Sequence, residues 1–287
     1  QNNNNFNIWV NSFIKSIKFK ASHFNSKICI PLSSGYDSGA ICCALNILNI
    51  PYETIHVGDA ENKKILNERI KINKKYSCKR HHSIPPLSKS ESKSISEFIY
   101  KKLGDIKYDH IDLPGGDPIS LHEDSGAIGL AVLCKEISKK GFNVIITGSG
   151  ADEIISDYGF NGKKIYSHSE FGGLFPDSLQ GFFPWRKFYG DTQRSYLKKD
   201  EMISGLFGIE GRYPFLDKEV IQSFLNLSNK LKNSNYKSCI AYFLDQNSYP
   251  YNNGVKDGFY PEKSDFNLLE KVSRKFNTLL KNQKIIK

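Results

Sequence analysis

The chain has 287 residues, 39% hydrophobic and 24% charged, the balance of a globular protein with ample material for a buried core. No run approaches the ~18 apolar residues that a membrane-crossing helix needs, and the polar start Gln1–Asn5 does not read as a signal peptide. The net charge of +10 suits either a basic surface for nucleic acid or polyphosphate, or a lysine-rich bias over solvated faces; the dispersed pairs Lys63–Lys64, Lys101–Lys102 and Lys198–Lys199 favour the second, so no nucleic-acid partner is expected.

Cysteines at 29, 42, 43, 78, 134 and 239 form no C-x-x-C pair and no zinc pattern. Most sit in apolar runs, so they read as reduced core residues of a cytoplasmic protein.

In chain order, Phe6–His23 has the spacing of an amphipathic helix, and Lys27–Leu32 is a short apolar strand. Gly39–Ile50 reads as an apolar helix, Tyr52–Val57 as a second strand, Glu61–Tyr76 as a charged helix and His81–Ile84 as a third strand. Ala127–Lys140 is helical in pattern and turns at Gly141 into the β-prone run Phe142–Thr147. From Ser156 to about Arg194 the composition is that of loops. Helices follow over Asp217–Leu231 and Tyr236–Gln246, then a turn-rich stretch Ser248–Glu262 and a basic amphipathic tail from Phe266. Strands alternating with helices predict an α/β fold with a parallel sheet, in which ligands bind beyond the carboxyl ends of the strands.

Two small-residue clusters fall at such ends. Ser33-Ser-Gly-Tyr-Asp-Ser38 offers backbone N–H groups, hydroxyls and a helix start, the parts that hold a phosphate group. Asp37 would repel phosphate directly and makes sense as a magnesium ligand bridging to it; a tight turn capped by serine is the structural alternative. Gly148-Ser-Gly-Ala-Asp-Glu153 repeats the pattern, with Asp152 either a second metal ligand or a helix cap. A third element, Glu210-Gly-Arg-Tyr-Pro-Phe-Leu-Asp217, places Glu210 and Arg212 in a pocket wall, or else uses Pro214 to fix a turn and Asp217 to cap a helix.

These three elements together resemble the synthetase domain of asparagine synthetases, whose order S-G-G-x-D-S, S-G-x-G-[SA]-D-E and E-x-R-x-P-F-L-D they follow from about Lys27 to Gly258. β-Lactam synthetases and lasso-peptide cyclases share the pattern. The resemblance implies an adenine nucleotide α-hydrolase-like (HUP-type) fold, a parallel sheet flanked by helices with a helical C-terminal cap. It implies one ATP-pyrophosphatase domain over 1–287, with a core at about 27–160 and the cap at about 161–287. ATP would be held by Leu32, Ser33, Ser34, Gly35, Asp37, Ser38, Val57 and Gly148, and Mg2+ by Asp37 and Asp152. The implied reaction adenylates a small-molecule or peptide carboxylate, releases pyrophosphate, and passes ammonia or an amine to the acyl group.

Two departures stand out. Ser34 replaces the first glycine of the family's pair. Ser149 stands where asparagine synthetases carry Glu and β-lactam synthetases Tyr, which leaves the substrate and its base open. No glutaminase domain is visible ahead of the motifs, so ammonia would come from solution, a partner or a further domain. The family's functional lysine before Asp-Gly is matched by Lys256-Asp257-Gly258, which makes Lys256 a catalytic candidate; a solvated turn lysine is the bland alternative. Two rival readings remain: another enzyme with this pyrophosphatase loop, such as a tRNA-modifying enzyme, and a catalytically silent nucleotide-binding protein.

Overall fold

Strand and helix alternate along the chain because apolar runs of period two are interleaved with runs of period near four. The computed structural model describes residues 3–22, 27–58, 62–108, 119–166, 168–252 and 261. In order these form α1 (Asn7–Ser22), β1 (Ile28–Pro31), α2 (Tyr36–Ile47), β2 (Tyr52–Val57), α3 (Lys63–Lys75), β3 (Cys78–Ile84), α4 (Lys89–Leu103), α5 (Ser125–Lys139) and β4 (Val144–Ile146). A small hairpin follows, β5 (Gly159–Phe160) with β6 (Lys163–Lys164). The rest comprises α6 (Arg186–Tyr189), α7 (Asp191–Gly205), β7 (Glu210–Arg212), α8 (Lys218–Leu225), α9 (Asn229–Lys232) and α10 (Ser238–Gln246).

The main sheet has the order β3-β2-β1-β4-β7, every pair parallel. That is the parallel α/β architecture read from the sequence. Alternate residues of each strand serve opposite faces. Ile28, Ile30, Val144 and Ile146 join one core with Trp9 and Phe13 of α1, α2, α8 and α10. Cys29, Ile55, Val57 and Ile145 join the other with α4, α5 and Ile203 of α7. On α1, Trp9, Phe13 and Ile17 recur every four residues, so all three fall on one buried stripe. All six cysteines are buried free thiols. Burial pushes the Cys42 and Cys43 thiols up to about 12, which keeps them inert packing groups. No helix among the described residues is long and apolar enough to cross a membrane.

Several boundaries differ from expectation. Helix α2 starts at Tyr36 rather than Gly39, so Asp37 and Ser38 sit in its first turn instead of in a loop. Helices α4 and α7 arise where no element was expected. Glu210–Arg212, expected as a turn, is the edge strand beside β4. The expected helix over 217–231 is two, because α8 ends at Leu225 and α9 begins at Asn229 with Ser228 as its cap. The basic tail from Phe266 lies outside the described residues.

Candidate active site

The β1 strand ends against its neighbour, the Leu32 N–H donating to the Ile55 carbonyl at 2.8 Å. The chain then turns into α2 through a tightly bonded serine loop. The Ser33 and Ser38 hydroxyls lie 2.8 Å apart, the Ser33 N–H donates to Ser38 Oγ at 3.1 Å, and the Gly35 N–H donates to Ser33 Oγ at 3.2 Å. Ser34 is not among the residues with left-handed backbone, so its side chain replaces a glycine without strain. Gly35 is the N-cap of α2 and makes no side-chain bond there, and a helix start is a place where an anion is stabilised.

Arg69 of α3 fixes this loop from behind. Fully buried, it donates from Nη1 to the Ser33 carbonyl at 2.5 Å and from Nε to the Pro250 carbonyl at 2.7 Å. It lies against Gly39 of α2, where a Cβ would come within 2.3 Å of Nη2. The loop is therefore held by a buried cation as well as by its own hydroxyls.

The second cluster is pressed against the first. A Cβ on Gly148 would meet Asp37 Cβ at 2.4 Å, so only glycine lets the two loops close. Gly150, at φ +93°, turns the chain beneath Leu216 and into one π-helical turn, Asp152–Ser156. The two acids picked out from the sequence, Asp37 and Asp152, are brought together by a residue that was not. Lys237, fully buried at the start of α10, places Nζ 2.7 Å from both oxygens of Asp37 and 2.8 Å from Asp152 Oδ1. Burial pulls its ammonium down, but Asp152 and Asp37 more than offset this and hold it well above the ordinary lysine range. The Tyr236 hydroxyl also donates to Asp152 at 3.1 Å. Two carboxylates thus share one cation at the mouth between β1 and β4.

Ser149 has partners of its own. Its hydroxyl accepts from Thr147 Oγ1 at 3.1 Å and donates to the buried Asp200 of α7 through a short bond. Burial pushes the Asp200 carboxyl up, against the opposing effects of Lys199 and of the Ser149 hydroxyl. Thr147, Ser149 and Asp200 form a relay from the loop to a carboxyl that takes up a proton more readily than an exposed one. Next to it, Asp124 accepts from the Tyr108 hydroxyl at 2.6 Å and from the Gly126 N–H at 2.8 Å.

The remaining expected residues are placed as follows. Leu32 and Val57 are buried at the ends of β1 and β2. Glu210 and Arg212 do not reach Ser149. Arg212 pairs with Glu210 at 2.8 Å and donates to the Lys20 carbonyl at the end of α1, so the pair braces the sheet edge. Asp217 caps α8, accepting the Glu219 N–H at 3.1 Å. Lys256 lies outside the described residues. Of the groups that were missed, Lys237 carried a signal: a cation where a helix begins opposes the helix dipole and calls for a carboxylate partner. Asp200 carried a weaker one, sharing a helical face with Ile203 and Ser204.

No protein-family model matches the chain, and no curated protein matches its sequence. Similar solved structures include the NAD+ synthetase from Burkholderia pseudomallei, 10% identical over 76% of this chain and 86% of that one, with a TM-score of 0.34. They also include the NMN synthetase from Francisella tularensis, 10% identical over 90% of this chain and 100% of that one, with a TM-score of 0.35. So distant a likeness assigns no chemistry to this chain, which rests instead on Asp37, Asp152, Lys237 and the Ser149–Asp200 pair.

Proposed function

We propose that this chain is an ATP- and magnesium-dependent, AMP-forming amide synthetase of the asparagine-synthetase type. The observation that carries this reading is the convergence of Asp37, Asp152 and Lys237 beside a helix N-terminus that has no side-chain cap. An uncapped helix start with serine hydroxyls suits the β- and γ-phosphates of ATP. A buried ammonium beside them suits the charge that gathers on oxygens around the α-phosphorus.

Magnesium fits the acid pair. In nucleotide sites it takes one or two carboxylates and completes its shell with phosphate and water, and Asp37 and Asp152 already meet at a common cation. When bound it would neutralise the polyphosphate and support departure of pyrophosphate. This chain's own groups would do the rest. The substrate carboxylate oxygen attacks the α-phosphorus, the bond to the bridging oxygen breaks, and pyrophosphate leaves. An amine nitrogen then attacks the acyl carbon of the mixed anhydride, and AMP departs with the former carboxylate oxygen. The proton shed by the amine would pass through Ser149 to Asp200, the carboxyl bonded to it, whose proton affinity is raised. That assignment supplies the base which Ser149 alone cannot be.

The nitrogen donor would be ammonia or an amine, and the acid a small molecule or a peptide. A silent nucleotide-binding protein is the second reading, favoured by the way Lys237 already satisfies both acids. Pyrophosphate release separates the two. Candidate acids screened with ATP, magnesium and an ammonium salt should yield pyrophosphate with at least one acid. Lys237→Met should lower that yield about a hundredfold, as loss of ~3 kcal/mol of transition-state stabilisation requires. Full turnover without Lys237 would overturn the reading.

A further inference from the structure

At the amino ends of the strands, the end of the sheet opposite the serine loop, lies a cavity of about 590 Å³. That volume falls within the range of roughly 300–1,000 Å³ that small-molecule sites occupy. Lys27, on its rim, precedes Leu32 by five residues of extended chain, or about 16 Å at ~3.3 Å per residue, so the cavity is separate from the candidate active site.

Its walls are basic. Lys27, Lys79, Arg80 and Lys140 all line it, so cations dispersed along the chain are gathered here in space. No side chain of the four makes a hydrogen bond or ion pair among the described residues. Glu53, the acid among the described lining residues, is already engaged, 2.6 Å from His82 Nε2. Lys140 has a local reason to be where it is, as the C-cap of α5, where a cation suits the helix dipole. Lys27, Lys79 and Arg80 stand at strand starts and have no such reason. A β-bulge adds to this. Tyr52 pairs with Cys78 and Glu53 with Arg80, which leaves Lys79 as an extra residue in β3. A regular strand sends successive side chains to opposite faces, yet Lys79 and Arg80 both line the cavity. Ile28, Tyr52 and Phe142, each at most 8% exposed, supply apolar surface beside the cations.

Unpaired cations around one space repel one another, and an anion of several charges placed among them relieves them together. Inorganic phosphate would meet the cations and leave the apolar lining in water. An organic phosphate meets both, its phosphate taking the planar fork of Arg80 and its carbon body the apolar lining. We propose that this cavity is a second ligand site, for a small organic phosphate carrying two or more negative charges. The site stands apart from the adenylation reading, and its test uses no turnover.

Calorimetric binding to the full chain, at physiological salt and with no ATP present, tests it with fructose 1,6-bisphosphate, GTP and coenzyme A as probes. Inorganic phosphate and a short single-stranded oligonucleotide serve as comparisons. At least one organic probe should bind with a Kd of about 100 µM or below, and about tenfold or more tightly than inorganic phosphate. Replacing Lys79→Ala and Arg80→Ala together should weaken that binding about tenfold or more, since the charge-assisted bonds are lost. Pro51→Trp, which changes no charge but fills the rim, should weaken it as much. Lys79, Arg80 and Pro51 are all exposed, so both variants should melt close to the parent. Failure of every organic probe to bind, or binding that ignores both variants, would overturn the proposal. So would an oligonucleotide that binds more tightly than any organic probe and loses affinity in the alanine variant alone, because that pattern marks an open basic surface for nucleic acid.

Discussion

At the residue scale, Lys237 decides the electrostatics of the mouth. Asp37 and Asp152 repel one another, and the buried ammonium 2.7–2.8 Å from each is what lets both ionise there. Removing it leaves two buried like charges, so Lys237→Met should destabilise the protein by about 3–5 kcal/mol in addition to its effect on turnover. Denaturant unfolding checks this, and a loss under about 1 kcal/mol would mean the acids are solvated in solution. Asp200 makes an opposite prediction. Its carboxyl is raised by burial, so its contribution to stability is fully present below the ordinary carboxylate range and is lost as pH rises through its higher folded value. At neutral pH, Asp200→Asn should therefore raise the melting temperature, and the gain should vanish toward pH 4. The same substitution should abolish amide formation while sparing pyrophosphate release in the first turnover. That Asp37 and Asp152 would lie close together was legible, because each follows a small-residue turn at the end of a predicted strand. Lys237 and Asp200 had only the faint local signals of a cation at a helix start and a polar residue on a helical face, since each acts through a contact some 50 to 200 residues away in sequence.

At the element scale, what the sequence hid was charge-rich helix. Helices α4 and α7 carry few apolar residues, so their periodicity is faint; α4 buries only Ser92 and Ile99. A local signal was nevertheless present. Ser88 caps α4 by accepting the Glu91 N–H at 3.3 Å, and Glu91 returns to the Ser88 N–H at 2.8 Å, a capping box written in the sequence as Ser88-Lys-Ser-Glu91. The β strands were easier, because their β-branched runs at the sheet centre have no helical alternative. Helix α2 depends on a contact no pattern encodes. Gly39→Ala would drive a Cβ to 2.3 Å from the buried guanidinium of Arg69, which is tied to Ser33 and Pro250. Overpacking of this kind costs about 1–3 kcal/mol and should shift the serine loop, so a lowered melting temperature with weakened ATP binding is expected. At the sheet edge, His56 Nδ1 lies 2.9 Å from His81 Nε2, a bond that needs at least one neutral ring. Burial and His56 lower His81 to about 4. A depressed histidine contributes stability above pH 6.5 and loses it as pH falls toward 4. Protection factors along β3, each referred to the intrinsic exchange rate at its own pH, should fall over that window, and His81→Gln should flatten the dependence.

At the scale of the whole molecule, the two motif-bearing loops lie at residues 33–38 and 148–153, but much of the structure that supports them comes later in the chain. Strand β4, whose three residues are at most 1% exposed, is paired on one side with β1 and on the other with β7 from residues 210–212. Phe13 of α1 lies 4.8 Å from Phe215 and 5.8 Å from Phe243, ring to ring, so the first helix packs on elements some 200 residues later. Asn3 exchanges backbone bonds with Asn226 and Ser228, at 2.8 and 3.0 Å. Lys237 closes the same circuit at the site. A fragment ending at residue 160 would keep Asp37, Asp152 and four of the five sheet strands. It would also expose the β4 edge and the aromatic stripe of α1, and would leave the acid pair without its cation. Such a fragment should show no cooperative thermal transition and should aggregate, whereas adding residues 161–252 in trans should restore a transition and ATP binding together. A sharp melt by the fragment alone would show that the second half merely covers the sheet. The physical expectation is the reverse, because burial of one apolar face, completion of the β4 edge and neutralisation of the two carboxylates all come from residues beyond 200.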